Sequence, residues 1–352
     1  MILVTGGAGF IGSNFVHLWC RESDEPVLNL DALTYAGNPD NLDALPCGSG
    51  HRFVRGDIRD TSTLQELLAG HRPRAVVHFA AHTHVDRAIA GPDSFVDTNV
   101  LGTQRLLESC RRYWQGLDAA SRVGFRFIQV STDEVYGSLS PDARPWTETA
   151  PLAPHNPYAA SKAAADHLVQ AYHHTYGLPT LITRCGNNYG PRQFPEKLIP
   201  LVIVRRLTGA PIPVYGDGGQ QRDWIHVNDH CQALLRVLDH GRPGDSYHVA
   251  GHAELGNLTL IHRLSALLDA RLPATPPLRI RHVADRPAHD RRYALDTGKI
   301  ERELGWRPRI GLEAGLAATI DWYLAQPEWL ARVTSGAYRE WVASHYGDVP
   351  AR

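Results

Sequence analysis

The sequence predicts an α/β fold in which a doubly wound parallel sheet is followed by a smaller C-terminal lobe. In the first half of the chain, short apolar or β-branched runs alternate with amphipathic stretches, which is typical of parallel strands joined by crossover helices. A glycine-rich turn follows the first run directly, and Pro and Gly become frequent after about Gly190. These three observations indicate one large unit with an appended lobe, for which 352 residues are sufficient.

The predicted strands and helices alternate in order through the first half. Five runs have the length and composition of buried strands; they read ILVTG, PVLNLDA, RFVRGD, AVVHFAA and FRFIQVST. Four stretches have apolar residues at helical spacing; they cover residues 13–21, 61–69, 98–114 and 161–176. Each predicted strand ends at Gly, Asp or a small polar residue, where a doubly wound sheet forms its ligand crevice.

A change in composition near Gly190 marks the predicted domain boundary. Segments such as GPRQFPEKLIP and GAPIPVYGDGGQQRDW favour short elements and turns over long helices. We therefore expect a first domain at residues 1–189 and a second part at residues 190–352. Helical patterns at 227–238 and 313–323 indicate that this second part returns to the first domain at least once.

The composition is that of an ordinary globular protein, with 43% hydrophobic residues, 21% charged residues and a formal charge of -1. Such a chain has no overall field that would attract nucleic acid or an anionic membrane. The first residues lack the basic region of a secretory signal, and no apolar run is long enough to span a membrane. No zinc or disulfide spacing links the five cysteines, which are Cys20, Cys47, Cys110, Cys185 and Cys231. We expect a cytoplasmic protein with reduced thiols.

The opening strand runs into a turn in which Gly6, Gly9 and Gly12 are spaced three apart. Glycine allows the backbone to turn sharply and to approach a pyrophosphate closely, and the following helix N-terminus favours anions. A structural turn alone would not explain the order of strand, glycines and helix. Asp31 ends the second strand 19 residues later, where a carboxylate accepts hydrogen bonds from ribose hydroxyls and repels a 2′-phosphate. These features predict a Rossmann-type domain that binds NAD rather than NADP.

Tyr158 and Lys162 lie four residues apart in a predicted helix, so they share one face. An ammonium beside a phenol lowers the phenol pKa from about 10 and makes tyrosine a usable general base. By itself this spacing is also common in surface pairs. Together with the glycine turn it predicts a catalytic pair.

Thr132 follows the fifth predicted strand and precedes two acids, Asp133 and Glu134. Adjacent strand residues point to opposite faces, so both carboxylates face one ligand only if the strand has ended and the chain is turning. The following Val-Tyr-Gly is compatible with a turn. A capping Asp with a solvated Glu is the alternative.

The chain as a whole resembles the dTDP-glucose 4,6-dehydratases of deoxysugar biosynthesis, which belong to the extended short-chain dehydrogenase/reductase family. The similarity covers nearly the whole chain. It includes LDALTYAGN, THVDR, STDEVYG, NPYAASKAAADHLV, NNYGP, FPEKLIPL, VYGDGGQQRDWIHVNDH, VADRPAHDRRYALD, KIERELGW and SGAYREW. The resemblance implies an NAD-dependent lyase, with a nucleotide-sugar-binding lobe at the C-terminal end.

This resemblance assigns a role to each catalytic residue. Tyr158 is expected to remove the proton of the sugar 4-hydroxyl while Thr132 orients that hydroxyl and Lys162 holds the nicotinamide ribose. Glu134 is expected to take the proton from C5, and Asp133 to protonate the departing 6-hydroxyl. The hydride from C4 returns to C6, which gives dTDP-4-keto-6-deoxy-D-glucose.

Further contacts are expected on both sides of the reaction centre. Besides the glycines and Asp31, the expected cofactor contacts are Phe10, Ile11, Asp57, Ile58, Ala80, Ala81 and Asn99. Asp57 reaches the adenine or is a plain turn residue, and the sequence supports both equally. The expected substrate contacts are His82, Thr83, Thr132, Asn187, Glu196, Lys197, Leu198, Pro213, Tyr215, Arg222, Asn257, Asp285 and His289. Among them, the guanidinium of Arg222 suits phosphate oxygens.

The chain departs from the family pattern in three places. Many members have A-A-E-S-H where this chain has A-A-H-T-H, so His82 replaces an acid near the site. Arg184 and Arg192 stand where some members have Asn and Tyr, and they are expected to contact the diphosphate or to be exposed. His82 and His84 lack a third ligand nearby, so we expect no metal site.

Three alternatives remain open from the sequence. A nucleotide-sugar 4-epimerase shares Thr132, Tyr158 and Lys162 but does not need the acid pair. A UDP-sugar 4,6-dehydratase keeps the chemistry and changes only the base pocket, and a non-catalytic NAD-binding regulator is a more remote possibility. The helices at 98–114 and 161–176 have apolar faces suited to a homodimer interface or to the core.

Overall fold

The computed structural model describes residues 1–45, 48 and 50–346; Cys47 lies outside the described residues. The strands are β1 (Ile2–Thr5), β2 (Val27–Asp31), β3 (His51–Arg55), β4 (Ala75–His78), β5 (Arg126–Thr132), β6 (Thr180–Cys185), β7 (Asn187–Tyr189), β8 (Ile212–Tyr215), β9 (Gln221–His226), β10 (Ser246–Val249), β11 (Glu254–Gly256) and β12 (Ile280–Val283). The helices are α1 (Phe10–Glu22), α2 (Thr61–His71), α3 (Val85–Ala90), α4 (Asp93–Phe95), α5 (Thr103–Gln115), α6 (Ala119–Gly124), α7 (Pro157–Tyr176), α8 (Leu198–Thr208), α9 (Val227–His240), α10 (Asn257–Arg271), α11 (Gly298–Leu304), α12 (Leu312–Ala325), α13 (Pro327–Val333) and α14 (Ala337–Tyr346).

A parallel sheet with the strand order β10-β6-β5-β4-β1-β2-β3 forms the centre of the molecule. Ile2 of β1 pairs with Val27 on one side and with Ala75 on the other. Every residue of β1, β2 and β4 is buried, which explains their continuous apolar runs. The strand order reverses beside β1, and a ligand crevice forms at such a switch point. The predicted doubly wound fold is confirmed, and all five predicted strands are present.

Helices cover both faces of this sheet. On one face α1 packs against α9, and on the other α2 and α7 pack against α5. A π-helical stretch at Val96–Gly102 leads into α5. The helix α7 begins where Asn156 accepts a hydrogen bond from the Ala159 amide and ends at Gly177 in the left-handed conformation. Both are common helix boundaries, since asparagine caps free amides and glycine adopts positive φ without strain.

The second part of the chain forms a lobe around two small sheets, β11-β9-β7 and β12-β8. The helices α8, α10 and α12 pack around its apolar core, which includes Val202, Leu264 and Leu316. The expectation of mainly short elements here is wrong, because α10 has 15 residues and α12 has 14. Proline and glycine lie at helix ends instead, as Gly209 does after α8.

The chain returns from the second part to the first through β10 and α9. The strand β10 pairs with β6 at the edge of the large sheet, and α9 packs on α1. The helix α12 stays in the lobe and contacts α10 and β9. Within the part of the chain that the structure describes, no helix is long and apolar enough to cross a membrane.

Candidate active site

Two adjoining cavities open at the carboxyl ends of the parallel strands. The first extends from the glycine turn after β1 to Tyr158 on α7. The second extends from there into the lobe, between β8, β9 and the segment that follows β12. Both cavities include Glu134, Asn187 and Lys197 in their walls, so these residues lie where the two spaces meet.

The glycine turn is shaped so that no side chain fits at two of its positions. Gly6 has a φ of 77°, and a Cβ there would lie 2.5 Å from the Ala80 amide nitrogen. A Cβ on Gly12 would overlap the carbonyl oxygen of Gly6. The helix α1 starts after Gly9 without a side-chain cap, so its first amides are available to an anion. This close backbone approach fits the pyrophosphate of a dinucleotide.

Asp31 at the end of β2 joins the glycine turn to the wall of the first cavity. One of its carboxylate oxygens accepts a hydrogen bond from the Ala8 amide at 2.9 Å, and the other accepts one from the Leu33 amide at 2.8 Å. Burial raises the pKa of Asp31. The carboxylate is therefore held in place at the end of β2, in the wall of the first cavity.

Asp57 also lines the first cavity, but its carboxylate is paired with Arg59 at 2.7 Å. This ion pair holds the pKa of Asp57 below its usual range. Asp57 was expected at the site from the sequence, whereas Arg59, which lines the same wall, was not. A contact between Asp57 and adenine stays a prediction.

Asn99 is the one expected cofactor contact that the cavity walls do not include. Its side chain is buried and exchanges hydrogen bonds with the backbone of His82, at 2.8 and 3.0 Å. It also donates to the Ser161 hydroxyl at 2.8 Å. Asn99 thus holds the segment after β4 against α7 from behind the cavity. The other expected cofactor residues lie on the wall: Gly6, Gly9, Phe10, Ile11, Gly12, Asp31, Asp57, Ile58, Ala80, Ala81, Tyr158 and Lys162.

The acid pair follows β5 in a 3-10 turn that spans Asp133–Tyr136. Thr132 caps this turn, and its hydroxyl oxygen accepts a hydrogen bond from the Glu134 amide at 3.3 Å. The strand has ended before the two acids, and both residues line the first cavity. Asp133 is 2% exposed.

The two acids differ in the groups around them. Burial and the adjacent Glu134 charge raise the pKa of Asp133 to about 8. Burial also raises the pKa of Glu134, against the opposing effect of the Lys197 and Arg222 cations. Asn156 donates a hydrogen bond to Glu134 at 3.3 Å. At neutral pH Asp133 is therefore protonated and can act as an acid, while the Lys197 and Arg222 cations counter the effect of burial on Glu134.

Tyr158 and Lys162 lie on the first two turns of α7 and are 7% and 4% exposed. The Lys162 ammonium donates a hydrogen bond to the Val130 carbonyl at 2.8 Å. Burial and the Glu134 charge raise the pKa of Tyr158, and a hydrogen bond with Thr132 opposes them. The expectation of a lowered Tyr158 pKa is therefore wrong, because burial raises this pKa and Lys162 is not among its main influences.

The second cavity contains most of the expected substrate contacts. Arg222 stacks its guanidinium over the Tyr293 ring at 4.3 Å and donates to the Asp290 carbonyl at 3.0 Å. Lys197 donates to the Thr83 carbonyl at 3.0 Å. The expected residues on its wall are Asn187, Glu196, Lys197, Leu198, Pro213, Tyr215, Arg222, Asn257 and His289, while His82, Thr83 and Thr132 line the first cavity.

Asp285 is the expected substrate contact that neither cavity wall includes. Its carboxylate pairs with His289 at 2.5 Å and is 43% exposed. Residues that the sequence analysis missed on the second wall include Arg286, Tyr293 and Tyr346. Arg286 forms an ion pair with Asp86 at 2.5 Å. The motifs VADRPAHDRRYALD and SGAYREW, which lie in this region, could have indicated that it contributes to the site.

The departures from the family pattern have distinct environments. The His82 ring stacks on Tyr35 with centroids 6.1 Å apart and packs near Phe95. Arg184 is buried and pairs with Asp166 at 2.9 Å, and it donates to the Tyr136 hydroxyl at 2.8 Å. It is therefore neither exposed nor in a cavity wall, which contradicts both expectations for it.

Arg192 is the third departure. It packs beside α1, the helix that follows the glycine turn, and it does not line either cavity. Its guanidinium donates to the Asn14 side chain at 3.3 Å and lies 5.7 Å from the centre of the Trp322 ring. Asn14 belongs to α1 and Trp322 to α12. Arg192 thus links the first domain to the lobe.

Comparison with known proteins identifies the family. The model of the family described as GDP-mannose 4,6 dehydratase matches residues 3–319. The dTDP-glucose 4,6-dehydratase of Xanthomonas campestris pv. campestris is 54% identical over 96% of this chain and 97% of that protein. The crystal structure of DesIV, a dTDP-glucose 4,6-dehydratase from Streptomyces venezuelae with NAD bound, has 48% identity and a TM-score of 0.85 over 94% of this chain and 99% of that one.

A more distant solved structure shares the fold. The UDP-glucose 4-epimerase of Thermus thermophilus is 31% identical and has a TM-score of 0.81, over 92% of this chain and 98% of that one. The higher identity to the dehydratases agrees with the acid pair that follows β5. The chain therefore belongs to the dTDP-glucose 4,6-dehydratase family.

Proposed function

We propose that this chain is an NAD-dependent lyase that converts dTDP-glucose to dTDP-4-keto-6-deoxy-D-glucose. The proposal rests on one observation: the same cavity beside the glycine turn is lined by Thr132, Asp133, Glu134 and Tyr158. A base for a hydroxyl, a base for carbon and an acid for a leaving group are what oxidation at C4 followed by dehydration requires.

The first step needs a proton acceptor for the sugar 4-hydroxyl, and Tyr158 has this role. Thr132 orients the hydroxyl, and Lys162 holds the ribose that adjoins the nicotinamide. NAD, held by the glycine turn, Asp31 and Lys162, would supply the hydride acceptor for C4, the hydride donor for C6 and positive charge near Tyr158. The raised pKa of Tyr158 in the protein alone makes that positive charge important, since it favours the phenolate.

The second step removes water across C5 and C6. A ketone at C4 acidifies the hydrogen at C5, and Glu134 takes it as a proton. Asp133 protonates the 6-hydroxyl as it leaves, and a pKa of about 8 keeps its carboxyl protonated at neutral pH. Glu134 then returns its proton to C5, so the product has lost only water.

The nucleotide diphosphate occupies the second cavity in this proposal. Arg222 and Lys197 supply positive charge there, which suits phosphate oxygens in a chain that is nearly neutral overall. Residues 1–189 form the NAD-binding domain with the catalytic residues, and residues 190–352 form mainly the nucleotide-sugar-binding lobe.

The enzyme acts in the cytoplasm as a homodimer. Val96 and Leu101 of the stretch before α5 are 52% and 39% exposed, and Tyr176 at the end of α7 is 45% exposed. Since α5 packs on α7, this apolar surface is suited to a second copy of the chain.

The test is incubation of purified protein with dTDP-glucose, followed by product mass and by alkaline absorbance of the keto sugar. We expect loss of the mass of one water, and at least about 100-fold less product from Glu134→Gln because the carbon base is absent. Glu66→Gln, an exposed change on α2, is the matched control. Conversion without loss of mass would indicate an epimerase, and conversion of UDP-glucose alone would indicate a UDP-sugar dehydratase.

A further inference from the structure

Asp86 carries a buried carboxylate that the proposed reaction does not use. It lies in the first turn of α3, in the segment that follows β4, and its side chain is 6% exposed. It is not among the residues that line either cavity. Burying a carboxylate is unfavourable unless charged or polar groups compensate it. The groups that surround Asp86 therefore indicate what it does.

Three groups from the second part of the chain contact this carboxylate. Arg286 binds both of its oxygens, through Nε at 2.5 Å and Nη2 at 2.6 Å. The Tyr215 hydroxyl donates a hydrogen bond to it at 3.0 Å, and the Nε2 atom of His345 lies 3.5 Å away. Burial raises the pKa of Asp86, but His345 and the Arg286 charge outweigh burial and hold this pKa below its usual range. Asp86 is thus ionised at neutral pH and joins α3 to β8, to the segment after β12 and to α14.

Two of these partners belong to the wall of the second cavity. Arg286 and Tyr215 line that cavity and do not line the first. The Arg286 guanidinium also stacks over the Tyr215 ring at 4.2 Å. Its Nε and Nη2 atoms are occupied by Asp86, whereas its Nη1 amine has no hydrogen-bond partner in the part of the chain that the structure describes. Two N–H donors in this wall are therefore available to a ligand.

We propose that Asp86 is a positioning residue for the nucleotide part of the substrate, which fixes Arg286 and Tyr215 in the cavity wall without touching the ligand itself. This inference rests on the proposed function, which places the nucleotide diphosphate in the second cavity. A guanidinium paired with a carboxylate at two points cannot rotate, so its remaining donors lose little freedom when a ligand binds. Asp86 then determines how tightly the nucleotide is held, and the reaction at the hexose does not depend on it.

Calorimetric titration with dTDP and steady-state kinetics with dTDP-glucose test this role in the wild type, Asp86→Asn and Asp86→Glu. We expect Asp86→Asn to raise the Kd of dTDP and the KM of dTDP-glucose together, each at least about tenfold. The kcat should stay within about threefold of the wild type, because a contact made equally in the ground state and the transition state affects KM alone. Asp86→Glu keeps the charge but displaces it by one methylene, so its Kd for dTDP should be intermediate. NAD affinity should not change in either variant.

Two further variants separate positioning from a general loss of stability. Asp269→Asn removes the partner of Arg206, a buried arginine of the same lobe, and neither residue lines a cavity. This control should keep the wild-type Kd for dTDP even if its Tm falls. Arg286→Gln is made alone and together with Asp86→Asn. If Asp86 acts through Arg286, the double variant should bind dTDP more tightly than the product of the two single effects predicts.

An unchanged Kd for dTDP in Asp86→Asn and Asp86→Glu would overturn the proposal. A lower Kd would also overturn it, because Asp86 would then only offset the charge of Arg286. Parallel losses of NAD affinity, dTDP affinity and kcat would reduce Asp86 to a structural role, and independent effects in the double variant would exclude action through Arg286. If the wild type binds no dTDP and forms no dehydrated product, the proposed function itself fails; if it does both and Asp86→Asn binds dTDP normally, only this inference fails.

Discussion

The two halves of the cleft are built in different ways. The cofactor half consists mainly of backbone: the glycine turn, the start of α1 and the ends of parallel strands. The substrate half consists of side chains from distant parts of the chain, such as Arg286 paired with Asp86 and Tyr215 bonded to Tyr346. A backbone site depends on the absence of side chains, whereas a side-chain site depends on their charges and partners.

The largest expected effect is in the cofactor half, at Gly12. A Cβ there would overlap the Gly6 carbonyl oxygen, so Gly12→Val should displace the turn that receives the pyrophosphate. We expect NAD binding to become too weak to measure by calorimetry. The control is Gly70→Ala, where a Cβ meets nothing within 4 Å; it should keep NAD binding. Unchanged NAD affinity in Gly12→Val would contradict a backbone-built site.

Asp133, in the wall of the first cavity, comes next. Asp133→Asn removes the acid for the leaving hydroxyl, and we expect product formation to fall about 10²- to 10⁴-fold with NAD content unchanged. In the wild type the rate should decrease as pH rises through about 8, where Asp133 loses its proton. A rate that stays level from pH 7 to pH 10 would exclude Asp133 as the acid.

The same residue should also affect stability, in a predictable direction. Between about pH 4 and pH 8 the folded protein holds a proton on Asp133 that the unfolded chain releases. The unfolded state therefore binds fewer protons, and this group lowers the free energy of unfolding as pH rises over that interval. Asp133→Asn should raise Tm by a few degrees at pH 8 and leave it nearly unchanged at pH 4. The opposite order in thermal melts would show that Asp133 is ionised in the folded protein.

In the substrate half, Arg222→Lys keeps the charge but loses the planar group that stacks on Tyr293 and reaches the Asp290 carbonyl. We expect the KM for dTDP-glucose to rise about 10- to 100-fold, because a charge-assisted hydrogen bond is worth about 1.5–3 kcal/mol. NAD affinity should not change, since Arg222 lines only the second cavity. Equal losses of substrate affinity and NAD affinity would contradict the claim that the two halves of the cleft bind different ligands.

The smallest effect is expected at His82. Its ring packs between Tyr35 and Phe95, and burial lowers its pKa, so it is neutral at pH 7. His82→Glu restores the acid of the family pattern, and we expect kcat/KM for dTDP-glucose to change less than about tenfold. A larger change in steady-state kinetics would mean that this position contacts the hexose.

The same contrast explains what the sequence could predict. The fold and the cofactor half follow from local patterns, since glycine spacing and alternating strands show in a few consecutive residues. The turn at Asp133 was also predictable, because the two acids follow β5 directly. Arg286 and Tyr346 were missed because their partners lie far away in the sequence: Asp86 is 200 residues from Arg286. Arg184 was misjudged because its pairing with Asp166 joins β6 to α7, which the sequence pattern does not show. Such pairs depend on how the lobe folds over the sheet.

The most direct test of the central claim is the fate of the hydrogen at C4. Substrate made with deuterium at C4 should give a product that lacks one water and carries the deuterium in its C6 methyl group, as read by mass and NMR. Transfer from C4 to C6 is what the cofactor half and the acid pair must accomplish together. Deuterium retained at C4 with no loss of mass, or lost to solvent, would contradict the account.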